Sequence, residues 1–234
     1  MGSRMTISEM RWPETPEFSE MIATWQYGAA TRVLELVWAG YDALHRDVLS
    51  MVDQRQLGNV QETEVTQLLV VNIRRHMEHL PSFWPFDVWP ESWEFEGQSE
   101  PPARAKQYDF AFRMRENPRI AWPFEAKVLK TDATLAAYVE EIRSNFITCR
   151  YAPFSSQAGM VGYLLSGSPQ TALAGIAERL ACKLTQHPDF LERTHSTSDH
   201  DRKVPKGKTY PTCLRLHHLI LQLTCPEPGA QGPP

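Results

Sequence analysis

The chain has 234 residues, 42% of them hydrophobic and 10% aromatic, with 24 Lys and Arg against 28 Asp and Glu for a formal net charge of -4. This is enough apolar material for one sizeable core, so a single soluble globular domain with additions is expected. The acidic balance argues against strong nonspecific binding to a phosphate backbone, no apolar run approaches the ~20 residues that span a bilayer, and the N-terminus lacks a signal-peptide pattern.

Cytoplasmic residence without membrane attachment is therefore expected. The cysteines at 149, 182, 213 and 225 show no CxxC spacing and fit reduced thiols. Met1-Gly2-Ser3-Arg4 ahead of Met5 reads as a cloning remnant outside the fold. Residues 17–54 place Ile22, Trp25, Val33, Leu34, Val37, Trp38, Tyr41, Leu44, Val48 and Met51 mostly three or four apart. That spacing predicts one long or two shorter amphipathic helices, packed on the core or offering a dimer or partner surface, with Trp25 and Trp38 as core residues. Gly58-Asn59 breaks the chain, and Glu62 to Glu78 is a further helix with Val65, Leu68, Leu69, Asn72, Ile73 and His76 inward. PSFWPFDVWPESWEFEGQSEPPAR reads as an ordered excursion that buries Trp84, Trp89 and Trp93. Its acids Asp87, Glu91, Glu94 and Glu96 argue against a platform for stacking bases.

The two apolar runs within residues 107–130 are predicted strands, and the break between them, Met114-Arg115-Glu116-Asn117-Pro118, carries turn residues. With the tip at Glu116 to Pro118, antiparallel pairing sets residue numbers totalling 234 opposite one another, so Asp109 faces Glu125. Lys127, two residues on, shares the face of Glu125 at about 6.5–7 Å. Two carboxylates supply hard oxygen ligands for Mg²⁺, and the ammonium suits charge developing on a phosphorane or the positioning of an attacking water. Without a cation, facing carboxylates are destabilising.

Asp132 or Thr131 is a candidate cap for a helix reaching about Phe146, with Leu135, Tyr138, Val139, Ile142 and Phe146 as its inner stripe. Gly159 to Leu165 is a buried strand, and the strand-helix-strand succession implies parallel pairing within a mixed sheet. Pro169 to Leu184 is another helix, and Cys213 to Leu223 a closing strand. Before that strand, DRKVPKGKTYP reads as a flexible loop whose Arg202, Lys203, Lys206 and Lys208 are candidate phosphate contacts. Arg113, Arg115 and Arg119 flank the hairpin turn and add to the same field. The pairs Cys213/His217, His195/His200 and Cys182/His187 make no four-ligand zinc pattern. No Gly-rich phosphate loop, GxSxG or HExxH is present.

Hairpin, preceding Asp and following helix together make Asp109 and Glu125-Ala126-Lys127 resemble the PD-(D/E)XK nuclease superfamily. Tyr138-Val139, Arg150-Tyr151-Ala152 and Gly159-Met160-Val161-Gly162-Tyr163 look like stand-alone nucleases of that superfamily from bacterial phage-defence loci. The likeness covers roughly residues 60 to 222, and Tyr108 stands where the signature has Pro. It implies an α/β, restriction-endonuclease-like core over 57–225, a central mixed β-sheet flanked by helices, with an N-terminal helical extension over 5–56 and a disordered tail over 226–234. The implied activity is a Mg²⁺-dependent endonuclease acting on DNA, with Mn²⁺ as a substitute, in an anti-phage system. Asp109 and Glu125 would bind metal and Lys127 would support the nucleophile or transition state. Glu64 or Glu62 from the first core helix would assist, Glu64 being preferred because it borders the apolar face beside Leu68. An acid there also suits the first helical turn for electrostatic reasons alone. Tyr151 and Gln157 would contact substrate. A small nuclease without its own recognition domain implies an ATPase, helicase or sensor partner, and a homo-oligomer is allowed. The alternative is a noncatalytic interaction module of the same fold, acting through its helical N-terminus as subunit, adaptor or inhibitor.

Overall fold

Helix α1, Tyr27–Leu44, runs on through a π turn, His45–Leu49, and buries Val33, Leu34, Val37, Trp38 and Leu44 along one stripe. It packs across α2, Glu62–His79, at Gly40, where a Cβ would lie 2.4 Å from Ile73 Cγ1. The α2 N-terminus is closed by a capping box between Gln61 and Glu64. These helices belong to a computed structural model that describes residues 27–53, 58–80, 84–93, 107–118 and 120–224. Trp25, Arg119, the side chain of Trp93 and the tail from Pro226 lie outside the described residues. No helix among those described is long and apolar enough to cross a membrane.

The fold is α/β, a seven-stranded mixed sheet flanked by helices. Strands β1 (Phe86–Trp93), β2 (Gln107–Met114), β3 (Ala121–Leu129), β4 (Gln157–Leu164), β5 (Thr185–Gln186), β6 (His195–Asp201) and β7 (Cys213–Gln222) lie in the order β1-β2-β3-β4-β7-β6-β5. Strand β2 pairs antiparallel with β3 from Arg113↔Ala121 to Phe110↔Phe124, the register expected from the turn position. Strands β3 and β4 are parallel, joined by α3, Ala136–Glu141, which continues as a π turn, Ile142–Phe146. Strand β4 is also parallel to β7, while β6 and β5 close the far edge antiparallel.

One face of the sheet carries α1 and α2 over Phe110, Phe112, Trp122, Phe124, Val161 and Leu219. The other carries α3 and α4, Pro169–Leu180, over Ala111, Leu129, Met160, Leu164 and Ile220. Helix α1 thus shares the core with the sheet rather than standing apart from it.

Several local expectations are revised. The Trp-rich excursion supplies edge strand β1, where Pro90 is tolerated because an edge position spares it a ladder bond. Trp89 on it is 52% exposed. Neither Thr131 nor Asp132 caps α3; Leu135 occupies that position without a side-chain bond, and the Asp132 carboxylate accepts from the Ser168 N–H at the start of α4. Helix α4 stops at Ala181, which turns left-handed, short of the expected Leu184. On α2, Leu68 is 40% exposed, and the buried stripe runs instead through Val65, Thr66, Leu69, Ile73 and Met77.

Strand β6, HSTSDHD, has no apolar alternation to announce it; buried histidines hold it. Trp38 Nε1 donates to His195 Nδ1 at 3.4 Å, His195 Nε2 lies 3.2 Å from His217 Nδ1, and His217 Nε2 lies 2.9 Å from Gln157 Oε1. An indole only donates and an amide oxygen only accepts, so this chain has one self-consistent direction, with both imidazoles neutral and protonated on Nε2. On the opposite face His218 sits between the Tyr138 hydroxyl, 3.0 Å, and Ser198 Oγ, 2.7 Å.

Burial, followed by neighbouring histidines, pushes His195 and His217 down, and burial pushes His218 down to about 3. Below the ordinary imidazole value of about 6.5 the unfolded chain takes up protons that the folded chain refuses, so stability falls as pH drops through that window. Urea midpoints should decline from about pH 6.5 toward about pH 4, and a level profile would contradict the network. A second expectation concerns Gly159, where a Cβ would lie 2.1 Å from the Phe124 ring, itself stacked on Phe110 at 4.6 Å. Gly159→Ala should cost about 1–3 kcal/mol by overpacking, seen as a lower thermal midpoint.

Candidate functional site

Three elements meet around one ammonium. Lys127 Nζ on β3 lies 2.9 Å from Glu125 Oε1, 3.0 Å from Glu62 Oε1 at the start of α2, and 3.9 Å from Asp109 Oδ2 on β2. It also donates to the Ala126 carbonyl at 2.6 Å. Glu62 uses its second oxygen to accept the Val128 N–H at 3.0 Å, tying the α2 N-terminus to β3. The Asp109 carboxylate takes the Ala126 N–H at 2.7 Å, continuing the β2–β3 contact past the last backbone pair.

The electrostatics follow from this crowding. Burial first, then the Asp109 carboxylate, push Glu125 up to about 9, with Lys127 opposing and Glu141 adding. Asp109 is raised by burial against the pull of Lys127 and the Ala126 N–H. Burial alone would lower Lys127, but the surrounding carboxylates outweigh it and hold the ammonium charged. Three acids surround one base, and Glu125 Oε2 is buried without a hydrogen-bond partner.

An orphaned buried carboxylate oxygen beside a second carboxylate fits Mg²⁺, which is commonly held by one or two carboxylates together with water and phosphate oxygens. The donor set does not fit an all-protein cage: among the described residues no three His, Cys, Asp or Glu side chains are grouped to hold a metal.

The other expected site residues divide. Glu62, not Glu64, joins the cluster, because Glu62 shares the helical face of Val65, Thr66 and Leu69, whereas Glu64 lines up with exposed Leu68 and Val71. The Glu64 carboxylate accepts from the Gln61 N–H as a cap. Tyr151 is 3% exposed, its hydroxyl donating to the Gln107 carbonyl at 2.9 Å, and the charges of Glu125, Glu141 and Asp109 reach it. Gln157 belongs to the histidine chain.

Arg202 is no surface phosphate contact. Its guanidinium is buried, donating to the carbonyls of Phe146, Tyr151, Ala152 and Ser155. Lys203, Lys206 and Lys208 are exposed, and Lys208 lies over the Tyr210 ring. Arg113 is buried on Ser92 and the Pro118 carbonyl, and Arg115 pairs with Asp87, so neither is a freely exposed cation.

Sequence reading passed over Glu141 and Asn145. Asn145 is buried within the apolar stripe of α3 and its π turn, its amide donating to Glu141, while its own Oδ1 lacks a partner. A polar residue between Ile142 and Phe146 was the available signal.

Glu125 yields a prediction that needs no ligand. Its value is raised on folding, so the folded chain holds a proton that the unfolded chain releases, and Glu125's own contribution to stability falls as pH rises from about 4.5 to about 9, opposite in slope to that of the buried histidines below about 6.5. Without divalent metal, Glu125→Gln should resist urea better than the parent at about pH 8, with the gap narrowing toward about pH 5. Equal midpoints at both pH values would contradict the burial of an ionising Glu125. Compared with family models, curated proteins and solved structures, the chain matches none.

Proposed function

We propose that the chain is a Mg²⁺-dependent endonuclease hydrolysing DNA phosphodiesters, with a restriction-endonuclease-like core. The observation that carries this reading is the single ammonium of Lys127 held among Glu62, Asp109 and Glu125. The order α2, antiparallel β1-β2-β3, α3, parallel β4 supports it as the frame on which the PD-(D/E)XK residues would converge.

Asp109 and Glu125 would hold the metal, whose charge, when bound, polarises a phosphoryl oxygen and supplies an acidic water. Lys127 brings a compact positive charge to the same face, suited to a phosphoryl oxygen or to orienting the attacking water. Glu62 keeps that ammonium in place by accepting from it while anchored to the Val128 N–H. Lys203, Lys206 and Lys208 are exposed in the basic segment before β7 and would contact a phosphate backbone, Lys208 lying also over the Tyr210 ring. With a net charge of -4, sustained DNA contact calls for a partner subunit such as an ATPase, helicase or sensor, in keeping with an anti-phage effector.

A second reading, a noncatalytic module working through its N-terminal helices, draws on one observation. All three donors of the Lys127 ammonium are used inside the protein, on Glu62, Glu125 and the Ala126 carbonyl.

The test is cleavage of plasmid and single-stranded DNA with Mg²⁺ or Mn²⁺. Glu125→Gln and Lys127→Met, checked for folding by circular dichroism, should each lose about 100-fold or more, while Glu64→Ala should cut as the parent does. Undiminished cutting by both variants refutes the assignment. No cutting, no heat of metal binding and tight association with a protein partner would establish the second reading.

A further inference from the structure

The β1–β2 ladder is interrupted at one position directly beside the acid cluster. Its ladder pairs Pro90 with Phe110 and Ser92 with Tyr108 but skips Glu91, which would stand against Asp109. Glu91 has φ 46°, a left-handed conformation that costs a non-glycine residue on the order of 1 kcal/mol or more and marks functional sites when the surroundings enforce it. Here the enforcement is visible: Gln107 Nε2 donates to the Glu91 carbonyl at 2.9 Å, satisfying an oxygen the ladder leaves free.

The kink opens a cleft of about 220 Å³ between β1 and the first turns of α2, lined by Thr63, Gln67, Pro90, Glu91, Gln107 and Asp109 among others. This lies below the roughly 300–1,000 Å³ that takes a drug-sized ligand, so the cleft suits one planar ring system. Among the described residues no Lys or Arg lines it and two carboxylates do, which disfavours phosphate there. The Glu91 and Asp109 carboxylates can only accept when ionised, and the Gln107 amide nitrogen is already committed to the Glu91 carbonyl, while Thr63, Thr66 and Gln67 can donate or accept.

We propose that this cleft receives one unpaired nucleobase next to the phosphodiester being cut, preferring bases with an exocyclic amine over thymine. The inference rests on the nuclease reading, since Asp109 belongs both to the acid cluster and to the wall of the cleft. A base edge is the uncharged part of a nucleotide, and carboxylate and amide oxygens accept from the amines of cytosine or adenine, whereas thymine presents a carbonyl there. A base still stacked in a duplex could not enter, so the strand must be single or the base turned out.

The experiment has two arms on the full chain. In the first, without metal, deoxycytidine and thymidine are titrated separately while the side-chain amide resonances of Gln67 and Gln107 are followed by NMR. Deoxycytidine should bind about two- to tenfold better than thymidine, the worth of one hydrogen bond. Gln67→Trp, or Thr63→Trp one helical turn away, should abolish the response; both positions are exposed, so the fold should tolerate them. In the second arm, oligonucleotides with cytosine or thymine throughout are cut with Mn²⁺; the parent should prefer cytosine and Gln67→Trp should lose that preference. Retained cutting with no nucleoside response, or one unchanged in both Trp variants, overturns the pocket and leaves the nuclease standing. A nucleoside response without cutting removes the nuclease reading and leaves a base-binding cleft.

Discussion

The ion cluster at Lys127 depends on an imbalance, three carboxylates drawn to one ammonium where the sheet gives them little water. Each acid arrives from a different element, so the contact that gathers charge also joins α2, β2 and β3. Burial penalises the ionised forms of Asp109 and Glu125, and the attraction of Lys127 only partly offsets it. Glu125 carries the residue of that imbalance, with one oxygen on Lys127 and the other on nothing. Buried, clustered ionisable groups that are costly to folding point to chemistry more readily than to stability.

Two other networks draw polar side chains inward and satisfy them among protein partners. Arg202 enters from the basic segment before β7 and spends its donors on four carbonyls of the stretch after α3, fixing the backbone that carries Tyr151. His195 and His217 link α1 to the start of β4 through Trp38 and Gln157. These networks order connections that have few apolar residues to bury, and each relies on a defined protonation state. The cluster at Lys127 differs because Glu125 leaves it open, and its Asp109 also lines the cleft beside the kinked Glu91.

Which features were readable depended on whether the cause was local. The β2–β3 hairpin was, since aromatic runs on either side of a polar turn constrain both pairing and register, and that register, Phe110↔Phe124 to Arg113↔Ala121, brings Asp109 beside the Glu125–Ala126 stretch. The choice between Glu62 and Glu64 was not: two residues apart on a helix differ by about 200° in direction, and the phase is set by what packs on α2. Strand β6 was hidden because its burial rests on hydrogen bonds between histidines rather than on alternation. Arg202 looked like its neighbours Lys203 and Lys206 in a basic run, yet a planar five-donor group can be buried among carbonyls where an ammonium is less well suited.

The sequence by itself determined the α/β class, the facing pair Asp109 and Glu125, and Lys127 on the same face, because turn position and period-two alternation are properties of neighbouring residues. Tertiary structure alone decided that Glu62 completes the cluster, that Arg202 is internal, and that Glu91 kinks and drops out of the β1–β2 ladder. Those outcomes turn on groups far apart in the chain competing for the same donors and the same buried space, which no local pattern records.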